Sequence, residues 1–214
     1  MIDAPSPRLA PPHKLYPGFL PEDECAALLA SAIASHAAFA PTKITTGLDL
    51  ALRVSSGLQN FGALQESFQA RAKRCLPEWL AALGVPAFTP RAIELGMVAH
   101  GDGAFFAPHS DLLRDGETTG PSVRILSAVY YFHKEPKGFT GGELRLQYID
   151  ATGPGARSVS IVPENNLLVI FPSWLTHEVT RVSCPSGAFD ASRFSINCWI
   201  HRATTSASHS GEPG

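Results

Sequence analysis

The sequence predicts a mainly β fold with N-terminal helices: a double-stranded β-helix (jelly-roll) barrel braced by two or three helices. Three observations predict it. Seven short runs after residue 91 are rich in β-branched or aromatic residues and are separated by Gly, Pro or Asp clusters. Two helical patterns precede them. No long flexible linker divides the two halves, so residues 13–202 are expected to form a single domain.

The elements follow in order. Residues 1–12 hold four prolines and are expected as a flexible arm, like the small, polar tail 203–214. Residues 13–20 read as a short strand leading to a helix. Pro21-Glu22-Asp23-Glu24 marks that helix start, with acids at the positive end of the dipole, and the helix is expected to run to about Ala38. Residues 53–56 suggest a strand. Residues 62–83 have helical spacing, with Leu64, Phe68, Ala72, Cys75, Trp79 and Leu83 along one side, and Pro77 is expected to kink that helix or start a new one. Strands are expected at 91–99, 123–133, 143–149, 158–162, 167–171, 177–182 and 193–201.

Composition narrows the function classes. With 214 residues, 44% of them hydrophobic and 17% charged, the chain can bury one real core. A formal net charge of −2 without a dense basic tract disfavours nucleic-acid binding, which rests on many Lys/Arg contacts. Cys25, Cys75, Cys184 and Cys198 form no C-x-x-C pair, which argues against a zinc knuckle or a thioredoxin-like site. The N-terminus shows no secretory h-region and no apolar run is long enough to span a membrane. A cytoplasmic, reducing location is therefore expected. No feature specifies an oligomeric state.

The chemistry is carried by His109-Ser110-Asp111. Side chains two apart on a strand project to the same side, so His109 and Asp111 would point together while Ser110 faces outwards and need not bind anything. His177, from a later strand, would complete a 2-His-1-carboxylate face with open positions, as in non-haem Fe(II) oxygenases. An H-x-D triplet alone is common in surface turns, so the reading depends on what accompanies it. Arg193-Phe194-Ser195 does accompany it. A strand places Arg193 and Ser195 on one face, where a guanidinium fork and a hydroxyl suit a carboxylate.

Together these residues resemble a known family. The segment 93–201 resembles the 2-oxoglutarate- and Fe(II)-dependent dioxygenases of the prolyl 4-hydroxylase type. Five pieces carry the resemblance: Gly101, Phe105 and Phe106 running into His109-x-Asp111; the tyrosine-bearing strand 124–132; Gly141-Gly142-Glu143-Leu144; Phe171-Pro172 ahead of His177; and Arg193-x-Ser195. The resemblance implies that His109, Asp111 and His177 bind Fe(II). It implies that Arg193 holds the distal carboxylate of 2-oxoglutarate, with Ser195 close by and Tyr131 donating to it. Ser127 shares a face with Tyr131 and is expected to line the same pocket. His100 stands where many members have a tyrosine nine residues before the first histidine ligand, and is a candidate for holding the co-substrate. Gly141-Gly142 would permit a tight turn.

The implied reaction consumes O2 and 2-oxoglutarate, hydroxylates an unactivated C–H bond, and releases succinate and CO2. Asp111 favours hydroxylation over halogenation, which needs that carboxylate replaced by a small residue. The resemblance leans towards a prolyl or other amino-acid or peptide substrate, with a natural-product intermediate also open. Arg114, Arg124 and the loop 112–121 are candidates to line the entrance, Trp174 is a candidate wall, and residues 184–190 read as an inserted substrate loop. The alternative is a divalent-metal (zinc-type) hydrolase, lyase or isomerase on a cupin-like barrel. Arg193, Ser195 and Tyr131 speak against it, since such an enzyme needs no distal carboxylate clamp. A non-catalytic β-barrel binding module is the third reading.

Overall fold

The computed structural model describes residues 10–43, 47–112, 122–149 and 156–204. Most of the expected arm and tail, and the entrance loop with Arg114, lie outside the described residues. Among the described residues there are two α-helices and fourteen strands. The N-terminal part contains β1 (Lys14–Pro17), α1 (Glu22–Ala34), β2 (Ala40–Pro41), β3 (Arg53–Val54), β4 (Ser56–Leu58) and α2 (Ala63–Ala82). The remainder is β5 (Ala92–His100), β6 (Phe105–His109), β7 (Ser122–Phe132), β8 (Thr140–Gly141), β9 (Leu144–Ile149), β10 (Ala156–Ile161), β11 (Leu167–Pro172), β12 (Thr176–Val179), β13 (Val182–Ser183) and β14 (Arg193–Ala203).

The strands pair antiparallel in two large sheets. One has seven strands in the order β1-β11-β7-β14-β5-β4-β2, the other five in the order β10-β9-β12-β6-β3, and β13 pairs with β8. The fold is thus mostly β with two helices, as expected. Among the described residues, however, strand pairing does not join the two sheets into a closed barrel. Both ends of each large sheet are edges, and β2 and β3 are edge strands of two residues each.

Alternation within the strands builds two cores. On β14, Phe194, Ile196, Cys198 and Ile200 face the helices. They meet Leu28 of α1 and Phe68, Ala72, Leu76 and Trp79 of α2 in one cluster. The opposite face of the seven-stranded sheet presents Tyr131, Val169 and Phe171 to Leu144 and Leu146 of the second sheet. The seven-stranded sheet is therefore buried on both faces, and Arg193, Ser195, Asn197 and Trp199 look inward, towards the space between the sheets.

α1 ends earlier than expected, and of the two alternatives for Pro77 the start of a new helix does not occur. α1 stops at Ala34, where Ser35 leaves helical geometry and returns its N–H to Ser31, and His36–Ala38 form a separate 3-10 turn. α2 runs through Pro77 as one helix. The proline lacks one backbone donor, but the flanking Leu76, Trp79 and Leu80 are buried against the sheet and hold the helix together. Among the described residues no helix is long and apolar enough to cross a membrane.

Candidate active site

β6 and β12 pair with His109 directly opposite His177, which brings the two imidazoles to a centroid separation of 4.2 Å. Asp111 lies just past the end of β6, not on it, so strand alternation alone does not aim it. Ser110 does. Its hydroxyl donates to the Ser173 carbonyl (3.0 Å) and accepts the Leu112 N–H (3.2 Å), which turns the chain inward. The outward, idle Ser110 of the sequence reading is thus corrected: it is the peg that sets the turn.

The three side chains converge. Asp111 Oδ1 lies 3.8 Å from His109 Nε2, and Oδ2 lies 3.5 Å from His177 Nε2. One ligand atom from each residue fits within a 4.8 Å group. Both histidines direct Nδ1 at the carbonyl two residues earlier, Ala107 and Leu175, each at 2.9 Å. A carbonyl only accepts, so each Nδ1 carries the proton and each Nε2 lone pair faces the cluster. Burial and the neighbouring His177 push the His109 pKa down to about 3, so its ring is neutral and free to ligate. Burial alone would raise the Asp111 carboxyl, but His177, His109 and the Ser127 hydroxyl outweigh it and hold it below its ordinary range. This donor set fits a divalent iron.

Ser127 donates to Asp111 Oδ2 at 2.7 Å and contacts the Ser173 hydroxyl at 2.9 Å. The structure thus sets its hydroxyl on the Asp111 carboxylate, on the same strand as Tyr131, whose pocket it was expected to line. Such an outer contact orients a ligand, and its loss typically weakens metal binding roughly 10–100-fold. Ser127→Ala is expected to show that loss in an Fe(II) titration while leaving 2-oxoglutarate affinity at saturating metal unchanged.

On the inner side of the cluster, β14 pairs Arg193 with His100 of β5, and Ser195 with Tyr131 of β7. Arg193 is 1% exposed. Its Nε donates to the Gly142 carbonyl (2.8 Å), its Nη1 lies 3.2 Å from His100 Nδ1, and its guanidinium sits 4.8 Å from the Tyr131 ring centroid. Arginine cannot accept, so His100 Nδ1 must, and the His100 proton sits on Nε2. Burial, with Arg193 and Arg53, holds the His100 pKa well below its ordinary value and keeps the ring neutral. Six buried side-chain nitrogens and oxygens have no well-formed hydrogen bond among the described residues, and three of them meet at this end: Arg193 Nη2, His100 Nε2 and Tyr131 Oη, the last lying close enough to the guanidinium to interact with it but not in hydrogen-bonding geometry. Unpaired buried donors of this kind are costly, and a carboxylate would satisfy them. Ser195 is buried beside them, with its hydroxyl 3.5 Å from Asn197 Oδ1.

Gly142 explains the glycine pair. Its φ is +71°, and an added Cβ would meet Arg193 Cδ at 2.7 Å and Val182 Cγ2 at 2.9 Å. A side chain there is strained by its backbone and displaces the arginine. Gly142→Ala is expected to cost roughly 1–2 kcal/mol from the left-handed backbone, read as a fall of a few degrees in a thermal melt, together with weaker 2-oxoglutarate binding.

An open cleft of about 620 Å3 lies over the cluster, and a small inner cavity of about 40 Å3 runs from it towards Arg193 and His100. Arg124 lines the cleft but is paired with Glu94 at 2.8 Å. Trp199 forms the wall that Trp174 was expected to provide; Trp174 is 49% exposed and is not among the lining residues. The segment 184–190 is also corrected. Cys184 packs with Phe139 and Ala191, Phe189 stacks on His36 and meets Phe194 on the helix side of the sheet, and none of these lines the cleft. Arg53, which the sequence reading did not single out, lines both the cleft and the inner cavity.

A metal face of two histidines and an aspartate, backed by orphaned carboxylate donors, defines an iron- and 2-oxo-acid-type oxygenase site. The 2OG-Fe(II) oxygenase superfamily matches residues 95–201, half of the chain, and the protein belongs to that superfamily. That superfamily uses Fe(II) with 2-oxoglutarate and O2 as co-substrates, and the His109, Asp111 and His177 cluster fits the iron. An uncharacterized PKHD-type hydroxylase of Synechocystis sp. is 39% identical over 150 residues, which are 67% of this chain and 48% of the relative. The chain thus spans about half the length of that curated relative. Among solved structures, a Pseudomonas putida prolyl-4-hydroxylase superposes with a TM-score of 0.67 at 22% identity, covering 90% of this chain and 94% of its own. A prolyl hydroxylase of Trichoplax adhaerens, solved with a hypoxia inducible factor peptide fragment, gives 0.63 at 16% identity, covering 88% and 83%. At these identities the two structures speak for the fold.

Proposed function

We propose that residues 13–202 form one catalytic domain, a jelly-roll in its sheet arrangement, that hydroxylates an unactivated C–H bond of an amino-acid or peptide substrate while 2-oxoglutarate is converted to succinate and CO2. The observation that carries this reading is the adjacency of the His109/Asp111/His177 face to the three unpartnered donors of Arg193, His100 and Tyr131. A hydrolytic zinc site would leave those donors without a purpose.

The residues divide the work. The two Nε2 atoms and the Asp111 carboxylate hold the metal, and Ser127 and Ser110 fix the carboxylate's approach. Arg193 Nη2, His100 Nε2 and Tyr131 Oη receive the distal carboxylate of 2-oxoglutarate, with Ser195 lining the same end. When bound, the iron and 2-oxoglutarate together activate O2 for C–H oxidation. Phe106 stacks on His109 at 3.5 Å and, with Trp199, limits water at the open side of the metal. Four free thiols suit a reducing compartment, and we place the protein in the cytoplasm.

The test is direct. Protein reconstituted with Fe(II) should bind 2-oxoglutarate and, with a substrate, release succinate in step with oxygen incorporated from O2. If 2-oxoglutarate neither binds nor turns over, the reading fails.

A further inference from the structure

Among the described residues, the cleft carries a cation that no carboxylate reaches within ion-pair distance. Four charged side chains besides Asp111 line it: Lys43, Arg53, Glu94 and Arg124. Glu94 and Arg124 neutralise one another at 2.8 Å, Glu94 also takes His201 Nε2 at 3.0 Å, and Arg124 lies over the Trp199 ring at 4.3 Å. Arg53 has no such partner. It is half-buried on β3, directly opposite Phe106 of β6, with its guanidinium carbon 4.5 Å from that ring centroid. Its Nε donates to the Ser55 hydroxyl at 3.0 Å, which aims the fork. Among the described residues no carboxylate reaches it within ion-pair distance.

The charge accounting leaves the same remainder once the site is filled. Fe(II) with Asp111, and the 2-oxoglutarate dianion with Arg193, cancel. Arg53 and the exposed Lys43 then remain as an excess of positive charge facing the cleft. Burial lowers the Arg53 pKa to about 10, with Asp111 opposing, so the group is still a cation at neutral pH but a poorly hydrated one. A poorly hydrated guanidinium with its fork free is a strong carboxylate receptor.

We infer that the substrate is a small free acid: its carboxylate binds the Arg53 fork, its apolar body lies against Phe106 and Trp199, and the C–H bond that is oxidised lies within a few bonds of the acid group. The short path supports the last clause, since Arg53 stacks on Phe106 and Phe106 stacks on the ligand His109. This rests on the oxygenase reading for the place of the metal and narrows its substrate class from amino acids or peptides in general to small molecules with a free acid end.

The test uses the full chain loaded with Mn(II) and 2-oxoglutarate under argon, so that binding is read without turnover. Saturation-transfer NMR measures N-acetyl-L-proline, N-acetyl-L-leucine and N-acetyl-L-phenylalanine against their primary amides. At least one acid should bind the wild type about tenfold or more tightly than its amide, the loss expected for a missing charge-assisted contact. Arg53→Gln should abolish that preference and Arg53→Lys should keep part of it, with an unchanged thermal melt reporting that both fold. The inference is overturned if no acid of the set binds, if amides bind as well as acids, or if Arg53→Gln keeps the preference. It is equally overturned if Arg53→Gln weakens 2-oxoglutarate itself, since Arg53 would then serve the co-substrate. Failure of the wild type to bind 2-oxoglutarate would strike instead at the oxygenase reading.

Discussion

Asp111→Ala is expected to abolish both metal binding and turnover. The carboxylate supplies the negative charge of the metal face, with an oxygen towards each histidine. Without it only the two imidazoles remain, and neither carries the negative charge that offsets a divalent ion in a buried setting. The loss should exceed the roughly 100-fold that marks the upper range for outer-contact variants such as Ser127→Ala. An Fe(II) or Mn(II) titration and a succinate assay both read it. Asp111→Glu tests geometry separately: it keeps the charge but places it one methylene further out, past the turn that Ser110 sets. Recovery of full activity in Asp111→Glu would show that charge alone matters and that the Ser110 turn does not.

Arg193→Ala should leave the metal site intact and remove the co-substrate. Arg193 is buried and tied to the Gly142 carbonyl and to His100, with one terminal nitrogen unpartnered. Truncating one side of a buried charge pair costs about 2–5 kcal/mol, or a loss of affinity from about 30-fold to several thousand-fold. The expected result is therefore a collapse of 2-oxoglutarate binding at unchanged Mn(II) affinity. The ligand-free protein should tolerate the change better than the complex, because burial already disfavours the Arg193 charge before a carboxylate arrives. Arg193→Lys should fall between the two, keeping the charge but losing the planar fork. Equal loss of metal and co-substrate would instead mean that Arg193 supports the whole sheet and not the carboxylate end alone.

Local pattern made much of this protein legible. Seven strand runs were read from β-branched and aromatic residues, and each appears within a few residues of its expected place. The run 177–182 is divided between β12 and β13. The strand expected to start at His109, after Pro108, instead runs through Pro108 and ends at His109 as β6, so Asp111 stands beyond the strand end. The helix-side faces were legible for the same reason as the strands: period-two alternation on β14 sends Phe194 and Ile196 one way and Arg193 and Ser195 the other. Arg53 left a faint signal. Arg53-Val54-Ser55 repeats the spacing of Arg193-Phe194-Ser195, but an Arg-x-Ser on a two-residue strand has no local feature that says which way it faces.

The sequence by itself determined the residue types of the site and the faces on which they lie. It contains two histidines, an aspartate, an arginine two residues before a serine, and the alternation that turns Arg193 and Ser195 to one face. The tertiary structure alone decided who meets whom. The register of β6 against β12 set His109 opposite His177, Ser110 on Ser173 turned Asp111 towards them, Ser127 went to that carboxylate, and Glu94 claimed Arg124 while leaving Arg53 free. The physical reason is range. Side-chain direction along one strand is a property of neighbouring residues, whereas register, turn closure and ion-pair choice link residues 30 to 70 positions apart and depend on how the whole sheet is assembled.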